Sequence, residues 1–372
     1  MKKLKVVTII GTRPEIIRLS VLIKKFDEYF DHILIHTGQN YDYELNEIFF
    51  KELEVRKPNH FLEVATGNLG ETMGNVIAKS YKIFKEINPN ALVVLGDTNS
   101  ALSILSAKRL KIPIFHLEAG NRCFDFNVPE EINRKVADHL ADINLAYSEN
   151  SRRYLLSEGF RKDFVFTIGS PLNEVLINYS KQIQKSNILS QLNVNSGEYI
   201  VASIHREENL DIKDNFNSIL KSIELISKHY KKPILFSTHP RTRKKIEELK
   251  IKSNSIQFLK PLGFFDYVKL QSEAFVTLSD SGTISEESSM INFPAVSIRT
   301  STERPEAIDH GVITIGNIDS DSILQAAEIA IKSFKESEIE LPEAYKVINT
   351  SDRVIKIIQG YTSIVNREVW KK

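Results

Sequence analysis

The sequence predicts an α/β protein built from two doubly wound, Rossmann-like domains that face each other across a cleft. Its 372 residues exceed the roughly 250–300 at which a single hydrophobic core stops growing. Short apolar runs alternate with longer helix-like stretches along the whole chain, and this alternation is typical of βαβ units. The short runs are apolar on both faces, which indicates parallel sheets covered by helices on each side.

Strands and helices alternate in both halves of the chain. In the first half we expect strands over residues 5–10, 32–37, 91–96, 113–118, 143–148 and 165–169, and helices over 14–26, 71–87 and 100–110. A polar, helix-prone stretch from about Gly169 to Gly197 then interrupts the series as a linker candidate. The second half restarts with strands over residues 199–205, 233–238, 256–259, 274–279, 295–300 and 312–316.

This pattern predicts three regions. Residues 1–172 form the first domain and residues 173–355 the second. A final helix over 356–372 is expected to pack back on the first domain. Ligands of such sheets bind outside the carboxyl ends of the strands, and domain interfaces favour pockets, so we look for a site at the strand ends.

Composition limits the classes of partner. The chain is 42% hydrophobic and 26% charged, with a formal net charge of +1, so it has no general attraction for nucleic acid or membranes. The single cysteine, Cys123, excludes an internal disulfide and a cysteine-based zinc site. It also fits a reducing cytoplasm. The first apolar stretch runs into charged residues without a cleavage site, so we interpret it as a buried strand and not a signal peptide.

Charged residues follow strand ends in the first domain. Arg13 and Arg18 flank a helix start, where a cation is unfavourable for the helix dipole unless an anion is present. Asp97 and Glu118 follow two later strands, and Glu130 begins a helix. Converging carboxylates that are desolvated have raised pKa values, which suits general-acid chemistry. Structural roles stay open as well, because Asp97 also fits a helix cap and Glu130 a first-turn acid.

The second domain supplies groups for an anion. His205 follows its first strand directly, and Arg304 stands at a helix start. In the segment "SDSGTISEE" a strand ends in a turn at Ser281 and Gly282 whose amides suit a diphosphate. Glu287 lies further into the following helix, where a carboxylate can accept from ribose hydroxyls. A nucleotide sugar therefore fits this pattern.

A turn histidine and a helix with exposed acids remain the structural alternatives. No G-x-G-x-x-G pattern occurs in the chain, which argues against a dinucleotide cofactor.

Several motifs together resemble one enzyme family. In order along the chain they are "GTRPE", "TGQNYD", "LGDTNS", "HLEAGNR", "VPEEINR", "HREEN", "STHPRTR", "SDSGTISEE" and "RTSTERPEA". This chain is similar to the non-hydrolysing UDP-N-acetylglucosamine 2-epimerases from about residue 4 to residue 316. The resemblance implies the glycosyltransferase-B fold, a UDP-sugar substrate, a homodimer and no cofactor. It implies inversion at C2 of a UDP-2-acetamido sugar through elimination and re-addition of UDP, by way of a 2-acetamidoglycal.

The resemblance also assigns roles to residues. It implies that Asp97, Glu118 and Glu130 are the acid/base carboxylates and that His205 acts near the leaving diphosphate. The positions that match UDP contacts of the family are Arg13, Ser281, Gly282, Glu287 and Arg304. At two further positions of the substrate site this chain departs from the commonest members: Arg18 stands in place of Lys, and Thr283 in place of a second Gly.

Other departures bear on the substrate. "GNRCFDFNVPEEINR" and "SIRTSTERPEA" look closer to the branch that forms UDP-N-acetyl-L-fucosamine from its 6-deoxy-L-talose epimer, a precursor of capsule or O-antigen polysaccharides. Leu262 stands near a position that is usually Gln. "TGQNY" replaces the "TGQHR" of members activated by UDP-GlcNAc. A UDP-GlcNAc 2-epimerase proper, a hydrolysing epimerase, a glycosyltransferase of the same fold and a non-catalytic sensor of nucleotide sugars are the alternatives.

Overall fold

The computed structural model describes residues 3–39, 43–336 and 340–372. The chain divides into two compact units. The first unit contains Met1–Asn178 together with Lys346–Lys372, and the second contains Tyr179–Tyr345. The predicted fold class is confirmed, because each unit is an α/β unit around one parallel sheet in the doubly wound order of a Rossmann-like fold.

The first unit carries seven strands among its described residues. Its elements are β1 (Lys5–Ile10), α1 (Arg13–Tyr29), β2 (Asp31–His36), α2 (Tyr43–Glu52), β3 (His60–Phe61), α3 (Leu69–Ile87), β4 (Ala91–Leu95), α4 (Ile104–Arg109), β5 (Ile114–Leu117), α5 (Pro129–Leu140), β6 (Ile143–Ala146), α6 (Glu149–Ser157), β7 (Val165–Thr167) and α7 (Pro171–Asn178). Two 3₁₀ turns cover Asn99–Ser103 and Lys162–Phe164. The sheet order is β3-β2-β1-β4-β5-β6-β7.

The second unit carries six described strands in the order β10-β9-β8-β11-β12-β13. Its elements are α8 (Ser180–Lys185), α9 (Ile188–Leu192), β8 (Ile200–Ser203), α10 (Glu207–Leu210), α11 (Lys213–Tyr230), β9 (Ile234–Ser237), α12 (Pro240–Glu248), β10 (Ile256–Leu259), α13 (Phe264–Ser272), β11 (Val276–Ser279), α14 (Ile284–Ile291), β12 (Ala295–Ser297), α15 (Pro305–Asp309), β13 (Thr314–Ile315) and α16 (Ser320–Glu336). After α17 (Glu343–Lys346), the last helix, α18 (Thr350–Glu368), belongs to the first unit.

Strand composition explains the sheets. Residues 6–10 of β1 and all of β4 are buried, since helices cover both faces of the sheet. All the strand pairs described are parallel, with Thr8 opposite both Leu34 and Val93. The direction of sheet growth reverses between β1 and β4, and again between β8 and β11. Loops after these strands therefore part and leave a crevice at the carboxyl edge of each sheet.

The boundaries differ from those predicted. The first unit extends to Asn178, not to residue 172, and the chain returns to it at Lys346, not at residue 356. The reason is packing: α7 contacts α1, and α18 contacts both of them. Strand β3, with two residues, has no counterpart among the predicted strands. Asn40 and Tyr41 of the "TGQNY" segment lie outside the described residues.

No helix in the described ranges combines the length and the apolar composition that a membrane span requires.

Candidate active site

The turn after β1 is organised by a buried carboxylate. Glu15 is 1% exposed, and its Oε2 accepts hydrogen bonds from the Gly11 and Thr12 amides at 2.9 and 2.7 Å and from Thr12 Oγ1 at 2.7 Å. Thr98 Oγ1 donates to its other oxygen at 3.1 Å. Burial raises the pKa of Glu15 to about 7, although these hydrogen bonds lower it. A side chain at Gly11 would lie 2.1 Å from Thr37 Oγ1, so this turn requires glycine.

Glu118 stands at the end of β5 in a left-handed backbone conformation, with φ of 67°. Such a φ is uncommon for a residue with a side chain, and it clusters at functional sites. The Glu118 carboxylate lies 3.8 Å from Arg18 Nη1 and accepts from Asn121 Nδ2 at 3.3 Å. Arg18 is 3% exposed, and its guanidinium lies 5.7 Å from the ring centre of Tyr147. Arg18 thus brings a fixed positive charge to the strand end that carries Glu118.

Asp97, at the end of β4, belongs to a chain of paired charges. Its Oδ2 accepts from Arg134 Nε at 2.7 Å, and Arg134 Nη1 donates to Glu131 Oε2 at 2.7 Å. The Cys123 amide donates to the same Glu131 oxygen at 3.1 Å. Burial acts to raise the pKa of Glu131, but the bonds from Cys123 and Arg134 outweigh it, and the pKa lies below its ordinary value. The helix-cap alternative for Asp97 is wrong, because Thr98 is the N-cap residue of the following 3₁₀ turn.

The two acids at the start of α5 differ in environment. Glu131 is fully buried, whereas Glu130 is exposed. Glu131 is therefore a structural partner of Arg134, and Glu130 is the one whose carboxylate reaches solvent. Arg13, the first residue of α1, is half-buried. Its guanidinium lies 5.9 Å from the ring centre of Phe49.

Asp280 organises the corresponding edge of the second unit. It is fully buried and follows β11. Its carboxylate accepts from the amides of His205 and Arg206 at 3.0 and 2.9 Å and from Asn209 Nδ2 at 3.0 Å. His205 Nδ1 lies 3.2 Å from the same carboxylate, while the imidazole remains 38% exposed. Asp280 therefore fixes the loop after β8 and presents the ring of His205 to solvent. The ring centre of His239 lies 6.0 Å from that of His205.

The turn before α14 differs in part from the predicted one. The Ser281 amide donates to Ser279 Oγ at 3.1 Å, so it already has an acceptor within the chain. The Ser281 hydroxyl lies 2.9 Å from that of Thr283. A side chain at Gly282 would lie 2.2 Å from Glu303 Oε1. Glycine is thus needed where the backbone approaches Glu303, which is held by Arg299 at 2.7 Å.

Two acids in the first turn of α14 are buried, so the exposed-acid alternative is wrong. Glu286 pairs with Arg304 at 3.3 Å, and both side chains are within 2% of complete burial. Glu287 accepts from Gln271 Nε2 at 3.1 Å. Arg304 thus places its positive charge beside Glu286, beneath the turn. Glu287 lies in the first turn of the helix.

The structure thus gathers the predicted residues into two groups. In the first unit, Asp97 and Glu118 stand at the carboxyl ends of neighbouring strands, and Arg18 pairs with Glu118. In the second, His205 and the 281–287 segment flank the crevice between β8 and β11. Three residues that hold these groups were not among the predicted site residues: Glu15, Arg134 and Asp280. Glu15 carried a signal, since it stands three residues after Thr12 as in a capping box.

Comparison with known proteins gives one consistent match. A family model described as UDP-N-acetylglucosamine 2-epimerase matches residues 24–359. The chain is 44% identical to the structure of UDP-N-acetylglucosamine 2-epimerase from Rickettsia bellii, with a TM-score of 0.93 and 100% of both chains covered. It is 33% identical to the Methanocaldococcus jannaschii UDP-GlcNAc 2-epimerase in complex with UDP-GlcNAc and UDP, with a TM-score of 0.89 over 95% of this chain and 99% of that one. It is also 31% identical to a UDP-2,3-diacetamido-2,3-dideoxy-D-glucuronate 2-epimerase of Pseudomonas aeruginosa, over 88% of this chain and 92% of the relative.

Proposed function

The chain belongs to the UDP-N-acetylglucosamine 2-epimerase family, whose members are isomerases, and from that premise we propose that it inverts C2 of a UDP-2-acetamido sugar without hydrolysing it. The observation that carries the proposal is the placing of Asp97 and Glu118 at the carboxyl ends of neighbouring strands, with an arginine beside each carboxylate. Such a pair suits proton transfer to and from one carbon atom.

The proposed reaction starts with an elimination. The C2 proton is adjacent to no carbonyl group, so its direct removal is difficult. A carboxylate accepts that proton, the C1–O bond breaks with its electron pair on the diphosphate, and a C1–C2 double bond forms. UDP then returns to C1 while another carboxylic acid protonates the opposite face of C2. We propose Asp97, Glu118 and Glu130 as the groups that exchange these protons.

Residues of the second unit are proposed to bind the nucleotide. His205 lies near the departing diphosphate, and Ser281, Gly282 and Thr283 form its turn. Glu287 accepts from the ribose, and Arg304 adds positive charge to this region. Arg13 and Arg18 are proposed as further groups that contact the substrate from the first unit. Donors preorganised around a leaving group are often the largest single contribution to rate.

We propose UDP-2-acetamido-2,6-dideoxy-L-talose as the favoured substrate, with UDP-L-FucNAc as its epimer. Support comes from the motifs around Cys123 and Arg304 and from Leu262, which is half-buried and packs against apolar residues. An apolar side chain suits a sugar that lacks its 6-hydroxyl. UDP-GlcNAc is the second candidate, because the archaeal relative binds it in its crystal structure.

We further propose that the protein is a cytoplasmic homodimer and that its product is a precursor of capsule or O-antigen polysaccharides. The only cysteine is free and buried, which suits a reducing compartment.

The test is proton NMR of the purified protein with each substrate in deuterated water. We expect the talose-configured nucleotide sugar to convert to UDP-L-FucNAc, with deuterium replacing the C2 proton. UDP-GlcNAc and the diacetamido-glucuronate nucleotide serve as comparison substrates. Faster conversion of either would refute the favoured substrate but not the epimerase assignment. Release of free sugar and UDP would identify a hydrolysing enzyme. Binding of UDP without turnover of any of the three would refute the enzymatic proposal.

A further inference from the structure

Three charged side chains and a histidine form a row near the ends of β4 and β5, and all of them except Glu158 are buried. His116 Nδ1 lies 2.9 Å from Asp138 Oδ1, Arg122 Nη1 lies 2.6 Å from Asp138 Oδ2, and Arg122 also pairs with Glu158 at 2.7 Å. The side chains of Arg122 and Asp138 are fully buried and that of His116 is 1% exposed, while Glu158 reaches the surface. Burial of charge on this scale is costly unless every member is paired.

Both ring nitrogens of His116 face acceptors. Nε2 lies 2.8 Å from the carbonyl oxygen of Gly96, and a carbonyl oxygen only accepts. Nδ1 faces the Asp138 carboxylate, which also accepts from Arg122 and from the Gly120 amide at 3.2 Å. With these donors Asp138 is ionised, so it accepts from Nδ1 as well. The two contacts together require a proton on each ring nitrogen.

The ring joins the two turns that carry the proposed catalytic carboxylates. Its bond to Gly96 fixes the peptide directly before Asp97. Glu118 stands two residues after His116, directly beyond the end of β5. Its carboxylate lies about 4 Å from where a side chain at Gly96 would stand. The Gly120 amide and Arg122, just beyond Glu118, bond to the same Asp138 that holds the ring.

We propose that His116 is a permanently protonated positioning residue, whose imidazolium holds the Gly96–Asp97 turn against the Glu118 strand end and offsets the negative charge of both carboxylates. The charge assignment stands on hydrogen-bond geometry alone. The effect on turnover rests on the proposed epimerase function.

The groups around the ring favour this charge. Asp138 of α5 bonds to the ring, and the charge of Asp97 in the turn after β4 also favours the protonated ring. The nearby cation is Arg122, which donates to the other oxygen of Asp138. Burial acts to lower the pKa of His116, but the hydrogen bond and charge of Asp138 outweigh it, so the pKa of His116 lies above its ordinary value. A buried histidine that served only to fill space would be neutral, and one of its ring nitrogens would carry no proton.

Nitrogen-15 NMR of histidine-labelled protein tests the charge directly, whatever the enzyme's activity. We expect both His116 nitrogens to carry protons at pH 8, with the signal assigned by its loss in His116→Gln. Free histidine at the same pH gives the reference signal of a neutral ring, because the free side chain titrates near 6.5. A neutral His116 with only one protonated nitrogen at pH 8 would overturn the proposal.

Kinetics test the positioning role. In His116→Gln we expect kcat to fall about 10²-fold, since a shift of about 1 Å in a catalytic group has that effect, with KM for the UDP-sugar within about threefold because the nucleotide site lies elsewhere. His139→Gln, on the exposed face of α5, is the matched control. Thermal unfolding of the variant verifies that it remains folded. A folded His116→Gln with near-normal kcat would refute the positioning role and leave the charge assignment to the NMR result.

Discussion

At the scale of single residues, the arrangement relies on charges buried in pairs. Arg134 connects Asp97 to Glu131, and Asp280 gathers two amides, an amide side chain and His205. Removing one partner of such a set leaves an uncompensated charge, which costs more than the intact pair contributes. Substitutions of these residues are therefore expected to change both the candidate site and the stability of the unit in which it lies.

Arg134→Gln should show this coupling. The change leaves the Asp97 and Glu131 carboxylates without their shared cation, and we expect a loss of about 3 kcal/mol in the free energy of unfolding, measured by urea denaturation. Glu131→Gln added to Arg134→Gln should recover part of that loss, because one buried charge disappears. Additive losses in the double variant would contradict the coupling.

Glu15 predicts a pH dependence. Its pKa is raised to about 7 from 4.5, so the folded state holds its proton at pH values where the unfolded state has lost it. The contribution of Glu15 is fully present below about pH 4.5 and is lost as the pH rises through 7. The difference amounts to about 3 kcal/mol at 1.36 kcal/mol for each pH unit.

Comparing the protein with Glu15→Gln isolates that contribution. The stability of the protein relative to the variant should decline between pH 5 and pH 8, as followed by urea unfolding at each pH. The variant loses hydrogen bonds at every pH, so only the trend carries information. A difference that stays constant or rises with pH would show that Glu15 is ionised throughout.

At the scale of elements, the first unit is built from two separate parts of the chain, because the C-terminal segment returns to it after the second unit. Helix α18 packs against α1 and α7. Lys25 of α1 bridges Asp352 at 2.8 Å and Glu174 at 3.1 Å. Glu174 also accepts from the Ser351 amide at 2.8 Å. The C-terminal helix thus completes the packing around α1 and α7 in the first unit. It also contacts β7, since the Tyr361 ring centre lies 4.8 Å from that of Phe166.

Truncation of one apolar contact in α18 measures its contribution. Ile358 is fully buried, and Ile358→Ala should destabilise the first unit by about 2–5 kcal/mol. Ile348→Ala, at a position 61% exposed just before the helix, is the matched control and should change stability by less than about 0.5 kcal/mol. Calorimetry measures both. Equal effects of the two substitutions would mean that α18 contributes little to that unit.

Strands with a clear apolar pattern were predictable from the sequence. The shortest strand and the buried charged residues were not. Strands such as β1 and β4 are apolar on both faces, so composition alone locates them. The two residues of β3 are too few to show any period, and its pairing with β2 is a tertiary contact. Glu131, Arg134 and Asp280 look like ordinary surface charges in sequence. Only the fold shows that each is buried against a specific partner.

At the scale of the whole molecule, the two sheets divide the proposed chemistry. The proposed acid/base carboxylates stand on the first unit, and the proposed nucleotide-binding turn stands on the second. This division predicts that the two functions can be removed separately. Glu118→Gln keeps the size of the side chain and its hydrogen bond to Asn121 but removes the charge. Turnover should fall at least about 10³-fold, because general acid–base catalysis contributes about 10²–10⁴, while calorimetric binding of UDP stays unchanged.

Gly282→Ala should have the opposite effect. Its methyl group would stand 2.2 Å from Glu303 Oε1, so either that carboxylate or the turn must move. We expect UDP affinity to fall about tenfold, equivalent to about 1.4 kcal/mol, while the charge pairs of the first unit remain intact. Gly67→Ala is the matched control, because no atom lies within 4 Å of the added methyl group there and neither Gly67 nor Gly282 has a left-handed φ. If Glu118→Gln abolished UDP binding, or Gly282→Ala left both UDP affinity and turnover unchanged, the proposed division between the two units would be wrong.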